Sequence, residues 1–132
     1  MLNIFKRKKY NTNLFVWLDA LLMNNDFGGV IAFNFNLYEG VGSFHIELIG
    51  SDEYDPEDSD WVCSEKYASR DDIFVVDEKI CGKTWEKALD YFKFNVEQYI
   101  VEGKFKDKLL SKAAIGIGFV DGDLEILYEK NI

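Results

Sequence analysis

The sequence predicts an α+β fold, with a mainly antiparallel sheet of about five to six strands and two main helices packed on one of its faces. Three observations support this prediction: two segments with apolar residues at helical spacing, several segments that alternate with period two, and turn sequences short enough for hairpins. The chain has 132 residues, of which 48% are hydrophobic and 16% aromatic. That is enough apolar material for one buried core, so we expect a single domain over residues 1–132.

The first residues of the chain are basic, with Lys or Arg at every position of residues 6–9. The apolar run that follows is interrupted by Asp19 and lacks a small-residue cleavage site, so it does not fit a signal peptide. It is also shorter than the roughly 20 residues that cross a bilayer. We expect residues 1–11 to form a flexible basic lead-in, and the protein to be cytoplasmic without a membrane span. Binding of the basic run to anionic lipid stays open.

The first predicted element is a helix over residues 12–25, with Thr12 or Asn13 as its N-cap. Its apolar residues recur at spacings of three and four and so share one face: Leu14, Leu18, Leu21 and Leu22. Gly28 and Gly29 then break the helical pattern.

The next two segments predict an antiparallel hairpin over residues 30–38 and 43–49, joined by a turn at residues 39–42. Apolar side chains alternate along both segments and are expected to point into the core. The polar side chains between them are expected to point outward: Asn34, Asn36, His45 and Glu47. Two further short strands are predicted near residues 61–64 and 73–76.

The clearest helical pattern covers residues 84–102, with Thr84 as the predicted N-cap and Gly103 as the predicted C-cap. Its apolar residues again recur by threes and fours: Trp85, Ala88, Leu89, Phe92, Val96, Tyr99 and Ile100. A short helical piece is predicted over residues 105–112.

A second hairpin is predicted over residues 115–128, with Asp121 and Gly122 as a two-residue turn. Gly116 and Gly118 lie inside its first strand, where they are expected to make room for a helix or a bulky aromatic residue packed across the sheet. Because these glycines do not lead from a strand into a helix, the segment does not fit a nucleotide-binding loop.

Acidic residues are concentrated in the middle of the chain. Residues 51–78 contain eleven acids and two bases, so this segment alone carries the formal net charge of -9. Residues 51–61 contain no base at all, and we predict that their acids and aromatic residues bind a partner: Asp52, Glu53, Tyr54, Asp55, Glu57, Asp58, Asp60 and Trp61. The acidic balance argues against nucleic acid as that partner, because binding to phosphates requires basic side chains.

Three interpretations of this acidic segment stay open. It is a solvated loop that keeps the protein soluble, a surface that docks a basic protein, or a calcium site. Clustered acids attract a cationic partner, and Tyr54 and Trp61 would supply anchoring area. The calcium interpretation has little support because the segment lacks the central glycine and final glutamate of an EF-hand loop. We therefore predict no metal and no cofactor.

An enzymatic function has little support in the residue pattern. His45 is the only histidine, and the two cysteines, Cys63 and Cys81, form no metal-binding or redox motif. We assign no catalytic residue. The alternative is a small-ligand-binding or enzymatic α+β domain that uses a crevice between sheet and helices near His45.

Residues 44–65, FHIELIGSDEYDPEDSDWVCSE, and residues 114–128, AIGIGFVDGDLEILY, resemble small bacterial immunity proteins, the cytoplasmic partners that neutralise toxins exchanged between competing bacteria. The resemblance implies a single acidic domain without enzymatic activity, which binds the active site of a toxin or a nearby surface. Many such toxins are basic nucleases. We therefore expect a non-enzymatic protein that neutralises a basic protein partner, such as a toxin nuclease domain, through its acidic loop.

Overall fold

The computed structural model describes residues 9–130. Within this range the chain forms an α+β structure with a six-stranded mixed sheet and four helices. The helices are α1 (Thr12–Asn24), α2 (Glu78–Cys81), α3 (Trp85–Glu102) and α4 (Lys106–Leu110). The strands are β1 (Ala32–Glu39), β2 (Ser43–Ser51), β3 (Glu65–Ala68), β4 (Phe74–Asp77), β5 (Ala114–Phe119) and β6 (Glu125–Glu129). A 3₁₀ helix covers Ser59–Cys63.

The strand order is β3-β2-β1-β5-β6, and β4 also pairs with β2. Four of the five pairings are antiparallel, including both predicted hairpins, but the central pair of β1 and β5 is parallel. This parallel pair was not predicted from the sequence. The two strands are separated by all the helices after α1, and hairpin signals act only between neighbouring segments, so the local pattern could not identify the pairing.

One face of the sheet carries the main core. Side chains of α1 and α3 share a single buried cluster with the alternating apolar residues of the three central strands. The contributing strand residues are Phe33, Phe35, Leu37, Phe44, Ile46, Leu48, Ile115 and Ile117. The inward positions predicted from the alternation are therefore confirmed within β1 and β2. Ile31, predicted on the same side as Phe33, precedes β1 and is 44% exposed.

The helix ends follow from local hydrogen bonds. The N-cap of α1 is Asn11, not Thr12 or Asn13: its Oδ1 accepts from the backbone N–H groups of Asn13 and Leu14 at 3.0 and 3.1 Å. Asn11 is further fixed because its backbone N–H donates to Asn95 Oδ1 at 2.6 Å. The basic residues 6–8 of the predicted lead-in lie outside the described residues. No helix in residues 9–130 combines the length and apolar character needed to cross a membrane.

The long helix α3 begins and ends where the sequence predicted. The Thr84 side chain accepts a hydrogen bond from the Lys87 backbone, and the Gly103 N–H donates to the Tyr99 carbonyl at 2.7 Å. The short helix α4 is also confirmed, whereas the four-residue helix α2 was not predicted.

The predicted strand at residues 61–64 is wrong, and the one at residues 73–76 is confirmed as β4. Residues 61–63 belong to the 3₁₀ helix, whose first turn is capped by the Asp58 side chain at the Asp60 N–H, and β3 begins only after it. A short polar side chain that satisfies a backbone donor in this way competes with strand formation.

The connection between β5 and β6 is longer than the predicted two-residue turn. It spans residues 120–124, and Gly122 is not among the glycines with positive φ, which a tight type I′ turn requires. Gly116 and Gly118 accommodate this connection and a neighbouring amide, not a helix or an aromatic ring. A Cβ on Gly118 would lie 2.5 Å from the Asp123 carbonyl oxygen, and a Cβ on Gly116 would lie 2.6 Å from Asn34 Oδ1.

Candidate functional site

The second face of the sheet, opposite the main core, is covered by the acidic loop, which we define as residues 51–61. Trp61 is only 3% exposed and packs with Ala32 and Ala114 on this face. The buried Ser51 hydroxyl donates to the Trp61 carbonyl oxygen at 2.7 Å. The end of the acidic loop is therefore fixed to the central strands of the sheet, where β1 and β5 begin and β2 ends.

The carboxylates of the acidic loop all lie at the surface: Asp52, Glu53, Asp55, Glu57, Asp58 and Asp60. Within residues 9–130 none of them forms an ion pair with a lysine or arginine. Several instead hold the local backbone, since Asp55 accepts from the Glu57 N–H at 2.9 Å and Asp58 accepts from the Asp60 N–H at 3.0 Å. The loop thus presents uncompensated negative charge on an ordered backbone.

The two aromatic residues of the predicted binding set lie beneath this charge. The rings of Tyr54 and Trp61 meet edge to face with centroids 5.2 Å apart, and the half-buried Tyr54 hydroxyl donates to Glu129. Burial, followed by the hydrogen bond to Glu129, raises the pKa of Tyr54 from 10.0 to about 12. The structure places Trp61 as a support of the loop and not as an exposed anchor.

A row of polar side chains crosses the same face. The burial of this row was not predicted from the sequence. Glu47, expected to point outward into solvent, is 1% exposed. Its carboxylate accepts hydrogen bonds from the Tyr38 hydroxyl and from Asn36 Nδ2 at 3.3 Å, and Arg70 Nε lies 3.6 Å away. The side chain does leave the main core as predicted, but neighbouring polar residues cover it. Burial and the hydrogen bond to Glu47 raise the pKa of Tyr38.

Asn34 ends this row. Its Nδ2 donates to Asn36 Oδ1 at 2.5 Å, and the residue is 2% exposed. The orientation of both amides follows from Glu47, because a carboxylate only accepts and so requires the NH₂ group of Asn36. Asn36 then turns its oxygen toward Asn34, which must supply its own NH₂ group. Asn34 Oδ1 is left without a partner among the described residues.

A cleft of about 470 Å³, which we call the polar cleft, opens beside this row. Its floor is formed by Asn34, Asn36 and Tyr38 of β1. One wall comes from the end of the acidic loop and the 3₁₀ helix, and the other from the β5–β6 connection. The walls contribute carboxylates from Asp60 and Asp123, and the described lining includes no lysine or arginine.

A second, larger groove of about 1060 Å³ lies at the carboxyl ends of the parallel strands β1 and β5. It shares Tyr38, Phe119 and Asp123 with the polar cleft. Its lining combines apolar residues with four acids: Glu39, Asp121, Asp123 and Glu125. Trp85, expected on the buried face of its helix, is 53% exposed and lines this groove.

His45 lines neither of these clefts. It is half-buried, with its Nε2 3.1 Å from the Ser43 hydroxyl. Within the part of the chain that the structure describes, no three His, Cys, Asp or Glu residues come together in a way that could hold a metal ion. Cys63 is exposed beside the polar cleft, Cys81 is buried, and both are free thiols.

Comparison of the chain with protein-family models, curated proteins and solved structures found no match in any of the three. The function therefore has to be inferred from the geometry and charge of these residues.

Proposed function

We propose that the protein is a non-enzymatic binding protein that neutralises a basic protein partner through its acidic loop. The observation that supports this most directly is the row of exposed carboxylates from Asp52 to Asp60, none of which has an ion-pair partner within residues 9–130. Like charges held close together repel each other and cost stability. A cationic partner would remove that cost.

The way the loop is held favours docking over simple solubility. Trp61 and Ser51 fix its end to the sheet, and Tyr54 ties its middle to Glu129. A loop that is ordered before binding loses less conformational entropy when the partner arrives. Charges on such a loop also create a defined field that attracts a basic surface and speeds association.

The acidic surface extends beyond the loop itself. Asp60 lines the polar cleft together with Asp123, and Asp123 also lines the larger groove with Glu39 and Asp121. None of these four carboxylates forms an ion pair among the described residues. A basic partner would therefore meet continuous negative potential across this part of the molecule.

A toxin effector is the partner that we propose, on the resemblance of residues 44–65 and 114–128 to bacterial immunity proteins. The mechanism would be occlusion. Carboxylates of the acidic loop would occupy the positions where a basic nuclease otherwise binds the phosphates of its substrate.

The test is the association of the protein with a basic toxin domain as candidate partner. The triple variant Asp55→Lys, Asp58→Lys, Asp60→Lys reverses three of the six acids of the loop and so brings its net charge to zero. We expect it to lower the association rate constant by about tenfold or more at low ionic strength, with a smaller effect at high salt. Stopped-flow or surface plasmon resonance measures both rates, and inhibition of the toxin is assayed in parallel.

A matched control separates local from overall charge. The control is a second triple variant on exposed positions of α3: Asp90→Lys, Glu97→Lys, Glu102→Lys. It changes the net charge of the protein by the same amount as the loop variant. We expect this control to keep most of the association rate. If both triple variants behave alike, or if association is insensitive to salt, the acidic loop is not the interface.

A further inference from the structure

We propose that the polar cleft binds a guanidinium group, the side chain of an arginine supplied by the basic partner. This inference rests on the proposed function for the source of the arginine, but the recognition itself follows from the cleft. Its central observation is Asn34 Oδ1, an acceptor without a partner on a residue that is 2% exposed. Leaving a buried carbonyl unpaired costs free energy that an incoming N–H donor would recover.

The hydrogen-bond row explains why the cleft offers acceptors. The donor groups of Tyr38 and Asn36 are directed to Glu47, and the NH₂ group of Asn34 is directed to Asn36. These hydrogen bonds orient the floor side chains and use one N–H of each amide. The one buried side-chain atom on the floor left without any partner among the described residues is the acceptor Asn34 Oδ1, which calls for a ligand that donates.

The charge of the walls favours a cation. Asp60 and Asp123 line the polar cleft from its two wall segments, and neither forms an ion pair within residues 9–130. Glu65, also in the lining, is held by Arg70 Nη2 at 2.7 Å and is already compensated. Two carboxylates without an ion pair and one unpaired carbonyl, all on residues of the cleft lining, form an acceptor set for a positively charged donor.

A guanidinium group fits this set better than an ammonium group. It carries five N–H donors in a planar fork and is more weakly hydrated, so it can satisfy separate acceptors at once and loses less on entering a cleft. Apolar lining from Val62, Val120 and Leu124 would contact the aliphatic part of an arginine side chain. A volume of about 470 Å³ is ample for that side chain.

The probe is N-acetyl-arginine methylamide, titrated into the isotopically labelled protein and followed by amide chemical shifts. We expect shifts concentrated at the cleft floor and at both walls. The lysine analogue is expected to bind several-fold more weakly, and the citrulline analogue, which has the same shape without the charge, more weakly still. Equal binding of all three, or no shifts in the cleft, would overturn the proposal.

Variants of the lining test the individual acceptors. Asp123 lies on the exposed β5–β6 connection, so the variant Asp123→Asn is not expected to affect folding. The variant Asn34→Ala removes the unpaired carbonyl. We expect each to weaken binding of the arginine analogue by about fivefold or more, the range of a hydrogen bond to a charged group. The control Asp71→Asn, an exposed acid outside the lining, should leave the affinity unchanged. An unchanged affinity in Asp123→Asn argues against the site even if Asn34→Ala fails to fold.

A chemical footprint gives an independent readout. Cys63 is an exposed thiol in the cleft lining, and Cys81 is buried. Saturating arginine analogue should slow modification of Cys63 by a thiol reagent, and the lysine analogue should protect it less. These assays use no partner protein. Their failure would remove the guanidinium site while leaving the acidic-loop interface to be judged by the charge-reversal variants.

Discussion

At the scale of single residues, Glu47 is the one charged side chain that is buried within residues 9–130. A buried carboxylate is stable only if its lone pairs are satisfied and a positive charge lies nearby. Tyr38 and Asn36 of β1 and Arg70 of the turn after β3 meet these needs. Arg70 also contacts the more exposed Glu65, so one arginine serves two carboxylates that differ in burial and in their other hydrogen bonds. That difference allows their contributions to be compared directly.

We expect Glu47→Ala to lower the free energy of unfolding by about 2–4 kcal/mol, because it leaves the Tyr38 hydroxyl and the Asn36 amide without their acceptor. Glu65→Ala removes the other partner of Arg70 and should cost less than about 1 kcal/mol, as for other surface ion pairs. Urea unfolding monitored by tryptophan fluorescence measures both values. Equal losses for the two variants would mean that the buried hydrogen bonds contribute little.

At the scale of elements, the β5–β6 connection closes one side of the polar cleft because it folds back over its own strand. This close approach depends on Gly118, where a Cβ would lie 2.5 Å from the Asp123 carbonyl oxygen and 3.3 Å from Leu124 Cα. Gly122 is in the same connection, but a Cβ there would make only ordinary van der Waals contacts, the nearest with Phe119 Cβ at 3.5 Å. The two glycines therefore have different physical roles.

We expect Gly118→Ala to destabilise the protein by about 1–3 kcal/mol, since the added methyl group meets backbone that cannot move without shifting the connection. We expect Gly122→Ala to leave the free energy of unfolding unchanged or to raise it by up to about 1 kcal/mol. Alanine restricts the unfolded chain, and the backbone φ at residue 122 is not positive, so alanine can adopt it. Thermal unfolding of both variants measures the difference. A large loss in Gly122→Ala would instead support the tight two-residue turn predicted from the sequence.

At the scale of the whole molecule, Tyr99 connects separate parts of the fold. Its hydroxyl donates to Asp19 of α1 at 2.6 Å and accepts from the Phe105 N–H at 3.2 Å, at the start of α4. Burial, together with the hydrogen bond to Asp19, raises the pKa of Tyr99 above its ordinary value of 10.0. The pKa values of Tyr38, Tyr54 and Tyr67 are raised as well, in each case first by burial.

These shifts predict a loss of stability at alkaline pH. A tyrosine whose pKa is higher in the folded state contributes stability that is complete below about pH 10 and is lost as the pH rises through the folded-state value. We expect the free energy of unfolding to fall above about pH 10, and to fall less steeply in Tyr99→Phe than in the parent protein. Denaturant unfolding across this pH range, with tyrosinate absorbance as a second signal, measures the slopes. Identical slopes would exclude Tyr99 as a contributor.

The extent to which the sequence predicted the fold depends on whether the signal was local. The helical spacing of Leu14 to Leu22 and of Ala88 to Tyr99, and the alternation in β1 and β2, predicted these elements and their core faces correctly. Each of these signals compares residues a few positions apart, where the geometry of helix and strand directly sets which side chains share a face. The exposed acids of the loop were also evident, because charged side chains without nearby bases seldom enter a core.

The parallel pairing of β1 with β5, the burial of Glu47 and the polar cleft were decided only by the tertiary structure. Asn34, Asp60 and Asp123 come from three distant segments, and no periodicity in any one of them indicates that the others lie close by. The alternation assigns Asn34 and Glu47 to the side of the sheet away from the core. Whether side chains on that side are exposed depends on which other segments of the chain pack over this face. Here the 3₁₀ helix and the β5–β6 connection cover it, through contacts such as Trp61 on Ala32 that form only when the whole chain has folded.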